Sequence, residues 1–532
     1  MHKQERKIAL LYVIPILIAF LFELVFKEFE FVRVLNLVEN VLFALLIYTL
    51  GFIIVNKNFQ KVYFILSFLF LSICILFEIL YYYVFTTNFS SSSIFIALDT
   101  NSSETKEFID FYADTTILVF TFVFVAISFY CIFLMKPIAR SLKKISKYKF
   151  KIFWIIIGAL IFLKISKLIV YNLPYLIVKS SIEYSVESKK LGDYKNNKKG
   201  NFSKVSRHEN EDDELYVIII GESTSRAHFG LYNYYRQTTP NLNKIKEDLL
   251  VYNDVISPHV FSIGALTKIL TLANYENPDI TSQGSIIQLI NSAGFNTYWL
   301  SNQRPIGPYE SLITKISLSS IKHKFITTTI AGNSKVFDGN LIREFDKAIK
   351  EPVNKKVIFL HFLGTHHHYK NRYPNKFNKF KDIPKTEFKS NENFEIINHY
   401  DNAILYNDYL INEIIKKVDS VNAKSFVLYF SDHGEEVFDN LNVSGHNEDN
   451  SSKNMFDIPF VLWQSNKFKE DSQIKFDESR KYMIDNLFYS IADLLSITAK
   501  ETDSSKSIFS KHFKQRKRII KRNIDYDTFF KK

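Results

Sequence analysis

Hydrophobic residues are distributed unevenly along this chain of 532 residues. Up to residue 171 they form long, nearly uninterrupted runs, whereas beyond residue 214 they form short runs separated by helix-length amphipathic segments. About 20 consecutive apolar residues cross a hydrocarbon core of about 30 Å as a helix. The pattern therefore predicts a membrane anchor over 1–171, a polar connector over 172–214, a folded domain over 215–500 and a basic tail over 501–532.

The predicted anchor contains apolar runs that are long enough to be transmembrane helices. They are Ile8 to Phe26, Val34 to Val55, Val62 to Phe85, Thr115 to Met135, and Ile152 to Tyr171. A cleavable signal peptide is the alternative for the first run, because Lys3, Arg6 and Lys7 precede it. The run is long and no small-residue cleavage site follows, so an uncleaved span is favoured and five spans are predicted.

Lysine and arginine in the short loops predict the orientation of these spans. The loop between the fourth and fifth spans is rich in them and has no acidic residue, whereas the loop after the third span contains several acids. The basic residues are Lys136, Arg140, Lys143, Lys144, Lys147, Lys149 and Lys151. This loop is expected to be cytoplasmic, which places everything after Tyr171 outside, in the periplasm if the membrane is a bacterial inner membrane.

Ionisable residues inside or near the spans are Glu23, Glu39, Glu78, Lys164 and Lys167. Such residues are costly in a bilayer and often functional. Several lie near a span end, where a long side chain can reach the interface. Snorkelling is therefore the favoured interpretation.

Short apolar runs in the second half predict strands that are buried on both faces, as in a parallel sheet. They are Leu215 to Ile220, Asn296 to Leu300, Lys356 to Leu360, and Phe426 to Phe430. Strands that alternate with helices over this length indicate one α/β domain with a mainly parallel central sheet.

Polar clusters follow three of these strands. Glu222 comes directly after the first strand, His366 lies a few residues after the third, and Asp432 and His433 follow the fourth. Ligands bind at the carboxyl ends of the strands in open α/β sheets, so these residues are expected to converge. Imidazole and carboxylate groups are zinc ligands, which predicts a zinc site made by Glu222, Asp432 and His433. A short surface turn is the alternative for Asp-His-Gly alone.

Cysteine usage excludes two other kinds of site. The chain has two cysteines, Cys74 and Cys131, and both lie inside long apolar runs. Neither a disulfide framework nor a cysteine-based zinc site is therefore available.

Longer motifs resemble the bacterial phosphoethanolamine transferases, which have an alkaline phosphatase/sulfatase-like fold. The resemblance extends over roughly residues 215–500 and is greatest for the branch that modifies the lipopolysaccharide core. The matching segments are Gly221 to Pro240, Ser257 to Ile263, Leu272 to Pro278, Thr297 to Asn302, Gly364 to His366, Tyr400 to Asp408, and Tyr429 to Glu436. Five spans before an external domain are also similar to this family.

The resemblance implies that Ser262 is both nucleophile and metal ligand, because the family has a hydroxyl residue about 40 positions after its first glutamate ligand. Most members have threonine there, so serine is a departure, and Thr267 is the fallback. Ser262 precedes a predicted helix, Ile263 to Ala273. An ordinary serine N-cap, worth about 1 kcal/mol, is the alternative.

Two histidines, His366 and His446, match family histidines near the substrate phosphate. The resemblance implies that they bind substrate, hold a second metal or protonate the leaving group; a solvated loop histidine is the alternative for each. His366 is followed by His367 and His368, and the motif favours His366 as the one that faces the site. One zinc ion or two are both compatible with these residues.

The implied function is metal-dependent transfer of phosphoethanolamine from phosphatidylethanolamine to a lipopolysaccharide or lipooligosaccharide acceptor, through a covalent phospho-enzyme. A glycerol-phosphate transferase, a phosphodiesterase and a sulfatase of the same fold are alternatives. A sulfatase would need a Cys/Ser-x-Pro-x-Arg signature, which the segment around Ser257 lacks.

Two functions of other classes are disfavoured. A scaffold on an inactive fold would be expected to lose Glu222, Asp432 or His433, and all three are present. Nucleic-acid binding, which the net charge of +12 suggests, is disfavoured because much of the excess charge lies in one loop and in the C-terminal segment. That segment either contacts anionic lipid or acceptor phosphates, or is simply solvated.

Overall fold

The computed structural model describes most of the chain, and its described residues form two compact units. Not described are residues 1–2, 28, 30, 55, 86–88, 90–92, 95–96, 98–104, 107–108, 110–111, 139–148, 166–171, 191–193, 208–211, 279, 304–311, 327–336, 473, 522 and 532. The first unit comprises the described residues of 1–98 and 112–184, and the second those of 99–111 and 185–532.

The first unit is helical. Its helices are α1 (Lys3–Phe26), α2 (Phe31–Leu50), α3 (Lys57–Phe85), α4 (Thr115–Ile138), α5 (Lys149–Ile165) and α6 (Leu173–Lys190), the last of which continues beyond the unit. Helices α1 to α4 are long and apolar enough to cross a membrane, in agreement with the first four predicted spans. The chain is therefore a membrane protein. Helix α5 covers the start of the fifth predicted span, whose remainder lies outside the described residues, so the count of five stays a prediction.

The three glutamates of the anchor do not snorkel. Glu23, Glu39 and Glu78 are all buried, with Glu39 only 1% exposed. Glu23 forms an ion pair with Arg33, whose Nε donates to Glu23 Oε2 at 2.9 Å. The favoured interpretation was therefore wrong for these residues, because polar partners inside the helical unit hold them away from the interface. Lys167 and the side chain of Lys164 lie outside the described residues.

Two of these glutamates hold the start of α6. The backbone N–H of Asn172 donates to Glu39 at 2.7 Å, and that of Leu173 donates to Glu78 at 2.7 Å. The first N–H groups of a helix lack partners inside the helix and need such acceptors. The carboxylates therefore cap the helix that leads toward the second unit.

The second unit contains a seven-stranded sheet among its described residues. Its strands are β1 (Glu214–Gly221), β2 (Leu249–Val251), β3 (Asn296–Ser301), β4 (Lys322–Phe325), β5 (Lys355–His361), β6 (Lys424–Ser431) and β7 (Phe460–Gln464). Their order is β2-β7-β6-β1-β5-β3-β4, and all neighbours are parallel except the two pairs that involve β7. The predicted mainly parallel sheet and its four predicted strands are confirmed.

Strand β1 lies at the centre of the sheet, and all eight of its residues are buried. It pairs with β5 and β6 in register, with Ile220 opposite His361 and Gly221 opposite Ser431. Because the three strands end at the same level, the residues that follow them meet at one edge of the sheet.

Helices pack around this sheet. They are α7 (Pro240–Lys244), α8 (Ser262–Leu270), α9 (Ile286–Ser292), α10 (Leu312–Ser317), α11 (Leu341–Lys350), α12 (Asn391–Ser420), α13 (Asn466–Asp471), α14 (Leu487–Leu494) and α15 (Tyr526–Phe529). Helix α12 is the longest and belongs to the same hydrophobic cluster as one face of β1 and β5. This cover explains why those strands are continuous apolar runs.

The segment predicted as a basic tail is folded in its described residues. Ile508, Phe509 and Ile520 are buried, and short strands pair Ile519–Ile520 with Ile524–Asp525. Arg518 is only 1% exposed and forms ion pairs with Asp254 and Asp527. Its guanidinium is thus part of the packing of the second unit and is not a solvated charge.

Candidate active site

Glu222 follows β1 and is 1% exposed. The next residue, Ser223, has a φ of 56°, and its N–H donates to Asp432 Oδ1 at 3.2 Å. A buried non-glycine residue in this left-handed region is strained and persists only where its surroundings impose it. Gly364 approaches the Glu222 backbone so closely that a Cβ would lie 2.7 Å from its nitrogen, which explains glycine there.

Asp432 and His433 follow β6, and both are fully buried. The Nδ1–H group of His433 donates to the carbonyl of Gly434 at 2.7 Å, and Nε2 faces the Glu222 carboxylate at 3.1 Å, to which it donates when protonated and beside which it can bind a cation when deprotonated. Metal-binding histidines are commonly oriented by such a second hydrogen bond. The turn needs glycine at 434, because a Cβ there would clash with the carbonyl oxygen of Asn454.

Ser262 is the first residue of α8, and its N-cap is Phe261. The predicted start of the helix was one residue late, and the N-cap alternative for Ser262 was wrong. Its hydroxyl instead donates to Glu222 at 3.0 and 3.1 Å and lies 3.4 Å from His433 Nε2. The helix therefore presents this hydroxyl to the candidate ligands rather than to its own backbone.

The donor set of Glu222, Asp432 and His433 fits a divalent cation. One ligand atom from each lies within 4.8 Å of the others, as a shared ion requires. Asp432 Oδ2 is buried and has no hydrogen-bond partner among the described residues. Burial and the adjacent Glu222 carboxylate raise the pKa of Asp432 to about 8. A cation between these groups would remove this repulsion, and the combination of two carboxylates and one imidazole suits zinc.

Gln303 is a site residue that the sequence reasoning missed. Its Nε2 donates to Glu222 Oε2 and to the carbonyl of Phe362, both at 3.0 Å. The residue follows β3, so its place beyond the end of a strand was the one available signal. An amide has no characteristic catalytic motif, and nothing else in the sequence distinguishes it.

His446 lies against the candidate metal ligand His433, with ring centroids 4.4 Å apart. Its Nδ1 donates to Glu435 at 2.7 Å, and Glu435 also accepts from the hydroxyl of Tyr369 at 2.7 Å. His433, Glu435 and His446 form a second group whose ligand atoms could share a metal ion. Glu435 was part of the quoted motif, but its hold on His446 was not foreseen.

The run of three histidines, residues 366–368, lies near the Glu222 carboxylate. Burial alone would raise the pKa of Glu222, but its hydrogen bond to His433 and the nearby His366 hold it well below the usual value. The residue before His366, Thr365, donates to the Glu222 carbonyl through its N–H at 3.0 Å and its hydroxyl at 2.9 Å, so the run begins beside Glu222. His368 has a φ of 67°, which turns the chain away after the run. The hydroxyl of Thr267 has no hydrogen-bond partner among the described residues, whereas that of Ser262 bonds to Glu222 and lies 3.4 Å from His433 Nε2.

Comparison with known proteins identifies relatives of this chain. Residues 214–497 match the sulfatase family. Phosphoethanolamine transferase EptC of Escherichia coli (strain K12) is 30% identical over 485 residues, which cover 84% of this chain and 83% of that protein.

Two solved structures are also similar. The C-terminal periplasmic domain of EptC from Escherichia coli in complex with zinc is 34% identical, covers 62% of this chain and 96% of that chain, and has a TM-score of 0.59. The integral membrane protein lipooligosaccharide phosphoethanolamine transferase A from Neisseria meningitidis covers 95% of this chain and 98% of that chain, with a TM-score of 0.68. At 19% identity, this second likeness concerns the fold. Together with the family match, the relative at 30% identity shows that the chain belongs to the phosphoethanolamine transferases, within the sulfatase family.

Proposed function

We propose that this chain transfers phosphoethanolamine from phosphatidylethanolamine to a lipopolysaccharide or lipooligosaccharide acceptor, with Ser262 as the nucleophile. The observation that carries the proposal is the place of the Ser262 hydroxyl, 3.0 Å from Glu222 and 3.4 Å from His433 Nε2. A nucleophilic hydroxyl needs a group that lowers its pKa, and it has one when it shares a cation with such ligands.

The residues of the site fit zinc, which the related EptC domain contains. Glu222, Asp432, His433 and Ser262 would hold it. Bound zinc would lower the pKa of the serine hydroxyl and neutralise charge on the phosphate oxygens. Gln303 keeps the Glu222 carboxylate in place through its amide. The group formed by His433, Glu435 and His446 could hold a second ion, so one or two are proposed.

In the first step, Ser262 Oγ attacks phosphorus of the donor as its proton leaves. The Oγ–P bond forms, the bond from phosphorus to the diacylglycerol oxygen breaks, and diacylglycerol departs after it takes up a proton. Ser262 is the first helical residue, so the free N–H groups of α8 are available to the phosphate oxygens.

In the second step, a hydroxyl of the acceptor attacks the same phosphorus. The new O–P bond forms, the bond to Ser262 Oγ breaks, and the serine recovers a proton. His446 and His366 are proposed to bind the phosphate and move these protons. Because Glu435 accepts from Nδ1 of His446, the other ring nitrogen, Nε2, remains to face a substrate.

The membrane anchor suits this reaction because donor and acceptor are both lipids. The distribution of Lys and Arg in the loops supports an inner-membrane location with the catalytic unit in the periplasm. The relative whose domain structure is known is itself described as having a periplasmic C-terminal domain. This placement would put the site on the side of the membrane where lipopolysaccharide is available.

Mass spectrometry of lipid A and core oligosaccharide tests the proposal in a Gram-negative host without its own transferases. Cells that produce the chain should gain one phosphoethanolamine on one of these fractions, and cells with Ser262→Ala should not. Thr267→Ala is the matched control and should retain the modification. Unmodified fractions from cells with the wild-type chain in the membrane would contradict this acceptor class.

A further inference from the structure

The catalytic unit contains a cavity whose lining includes none of the proposed metal ligands. It has a volume of about 340 Å³ and is lined by ten residues of the C-terminal segment and its neighbours. We refer to it as the basic pocket, because Arg226, Lys453, Lys481, Arg518 and Lys531 line it with two carboxylates, Asp254 and Asp527. Asp457 pairs with Arg226 next to the lining, so five cations face three carboxylates and a positive excess remains.

The arginines of the basic pocket are held rigidly. Arg518 donates to Asp527 from Nε at 3.0 Å and to Asp254 from NH1 at 2.6 Å. Arg226 forms an ion pair with Asp457 at 2.5 Å. A guanidinium that neighbouring carboxylates hold loses little entropy when it binds a phosphate oxygen. Arg518 is itself buried, so it shapes the pocket by fixing these carboxylates, whereas Arg226, whose side chain is 14% exposed, is the arginine that can meet a ligand.

The lysines of the basic pocket are more available. The side chain of Lys453 is 52% exposed, and its nearest carboxylate, Asp457, lies 4.0 Å away. Lys531 is exposed and has no ion pair within the described part of the chain. Lys481 is 37% exposed and shares Asp527 with Arg518. Two positive charges thus stand at the rim, Lys531 without an ion pair among the described residues and Lys453 with a distant one, and an anion could neutralise them.

The remaining lining suggests that the ligand is larger than a bare anion. Phe530 adds aromatic surface, whereas the neighbouring Tyr526 is buried, and the carboxylates of Asp254 and Asp527 are about one third and one quarter exposed. Aromatic rings and carboxylates together suit the C–H faces and hydroxyls of a sugar. The volume is within the range of about 300 to 1,000 Å³ that is usual for small-molecule sites.

We propose that the basic pocket binds a phosphorylated saccharide, with the phosphate at Arg226 and the rim lysines and the sugar against Phe530 and the carboxylates. That this saccharide belongs to the acceptor rests on the proposed function. The proposal gives the C-terminal basic segment a role in substrate selection.

The basic pocket is connected to the metal site through one loop. Asp457 holds Arg226 at the pocket, and two residues earlier the carbonyl of Met455 accepts from the N–H of Gly434 at 2.9 Å. Gly434 in turn accepts from Nδ1 of His433. A saccharide that contacts Arg226 would therefore be linked, through the loop from Met455 to Asp457, to the turn that contains the proposed metal ligand His433.

Equilibrium dialysis of the full chain in detergent tests the binding step with glucose 6-phosphate, inorganic phosphate and glucose as probes. Glucose 6-phosphate should bind best, inorganic phosphate should compete with it, and glucose should bind weakly. The double variant Lys453→Gln/Lys531→Gln should weaken glucose 6-phosphate binding by about two- to thirtyfold, on the scale of two exposed charge pairs. Lys453→Arg/Lys531→Arg keeps both charges and should retain binding.

Lys511→Gln/Lys517→Gln is the matched control, since both lysines are exposed and lie outside the lining of the basic pocket. Equal losses in the control and pocket variants would overturn the proposal in favour of general charge attraction. Unchanged binding in the pocket variant, or equal binding of glucose, would also overturn it. If the pocket variant loses only its binding to phosphatidylglycerol vesicles, the ligand is a membrane headgroup and the saccharide assignment is wrong.

A kinetic measurement connects the basic pocket to transfer. Lys453→Gln/Lys531→Gln should raise KM for the acceptor and leave kcat and the labelling of Ser262 by donor unchanged. A fall in kcat with unchanged KM would overturn the assignment to acceptor binding. If the wild-type chain transfers no phosphoethanolamine at all, the proposed function fails while the dialysis result still decides whether the pocket binds a phosphosugar.

Discussion

Ser262 Oγ lies 3.0 Å from Glu222 Oε2, although the two residues are 40 positions apart in the sequence. One is the first residue of α8, and the other follows the central strand β1. The Ser262 side chain makes no capping hydrogen bond to its own helix. Their juxtaposition is a feature of tertiary structure with a direct chemical use, because a hydroxyl beside a buried carboxylate is ready to share a cation with it.

The first prediction concerns the metal. Asp432→Asn keeps the shape of the side chain but removes the anionic ligand, so zinc content and transfer activity should both fall by large factors. Inductively coupled plasma mass spectrometry of the purified chain measures the zinc. Asp346→Asn, at a surface ion pair with Lys417, is the matched control and should keep its zinc. Stoichiometric zinc and full activity in Asp432→Asn would eliminate this ligand assignment.

Zinc affinity should depend on pH. Without a metal, burial and Glu222 raise the pKa of Asp432 to about 8, so this carboxyl is largely protonated at neutral pH. Burial opposes the charged form of His433, but Asp432 and Glu222 outweigh it and raise the pKa of His433 to about 10. Ligands must be deprotonated to bind, so zinc binding releases protons and should tighten as pH rises from 6 to 8. Competition with a chelator measures this, and equal affinity at both pH values would argue against these ligands.

Gln303 is predicted to be a positioning residue. Gln303→Ala removes both hydrogen bonds of its amide, and loss of a partner that orients a metal ligand typically costs about 10- to 100-fold in activity or metal affinity. We expect kcat/KM to fall within that range while the thermal unfolding temperature changes little. Gln283→Ala removes an amide that bonds at the exposed Asn201 and should leave activity unchanged. Wild-type activity in Gln303→Ala would show that Glu222 needs no such support.

Some of this site could be predicted from the sequence, for physical reasons. Strands buried on both faces are continuous apolar runs, so β1 and β6 were evident, and the polar residues that end them had to meet. The place of Ser262 came from family resemblance, since a serine before a helix has an ordinary use as a cap. Gln303 could not be found, because its role depends on how the loop after β3 approaches Glu222.

The C-terminal segment shows why charge patterns alone mislead. Arg518 was counted with a basic tail that either contacts anionic groups or is solvated, yet it is buried and forms an ion pair with Asp254, which is 264 positions away. The glutamates of the anchor were misjudged for the same reason. Asn172, 133 residues beyond Glu39, supplies one of the partners that keep it buried. Local sequence carries no information about partners at such separations.

His228 should stabilise the catalytic unit in a pH-dependent way. Burial alone would lower its pKa, but Asp439 and Asp401, at 3.0 and 2.7 Å from its ring nitrogens, raise it well above the usual value. His228→Gln removes one partner of a buried ion pair, which costs about 3 kcal/mol or more. Because the folded pKa is raised, this stabilisation is complete below about pH 6.5 and declines as pH rises toward the folded pKa.

Thermal unfolding measured by circular dichroism should therefore separate the wild-type chain from His228→Gln more at pH 6 than at pH 9. The exposed His512 is a suitable control, and His512→Gln should leave the unfolding temperature unchanged at both pH values. A constant difference between wild type and His228→Gln across this range would indicate that the imidazole is held neutral.

The topology can be checked with a cysteine in the 187–205 connector, in a chain whose Cys74 and Cys131 are replaced by serine. If the catalytic unit is periplasmic, this cysteine should react with a membrane-impermeant maleimide in intact spheroplasts. A cysteine in the lysine-rich loop at residues 139–148 should react only after the membrane is permeabilised. The reverse pattern would contradict a periplasmic catalytic unit, and with a cytoplasmic N-terminus it would mean that the number of spans before residue 172 is even.

Detection of a covalent adduct would distinguish an enzyme from a scaffold, and the position of the adduct would distinguish Ser262 from Thr267 as the nucleophile. Incubation of the purified chain with phosphatidylethanolamine in detergent, without acceptor, should add one phosphoethanolamine to the peptide that contains Ser262, as peptide mass spectrometry can show. Ser262→Ala should abolish the adduct while the unit stays folded, because this side chain does not cap α8 and its hydrogen bonds are those of the site. Ser262→Thr should retain part of the activity, since a hydroxyl remains at the same place beside Glu222. An adduct on Thr267, or turnover that persists in Ser262→Ala, would show that the nucleophile lies further along the helix.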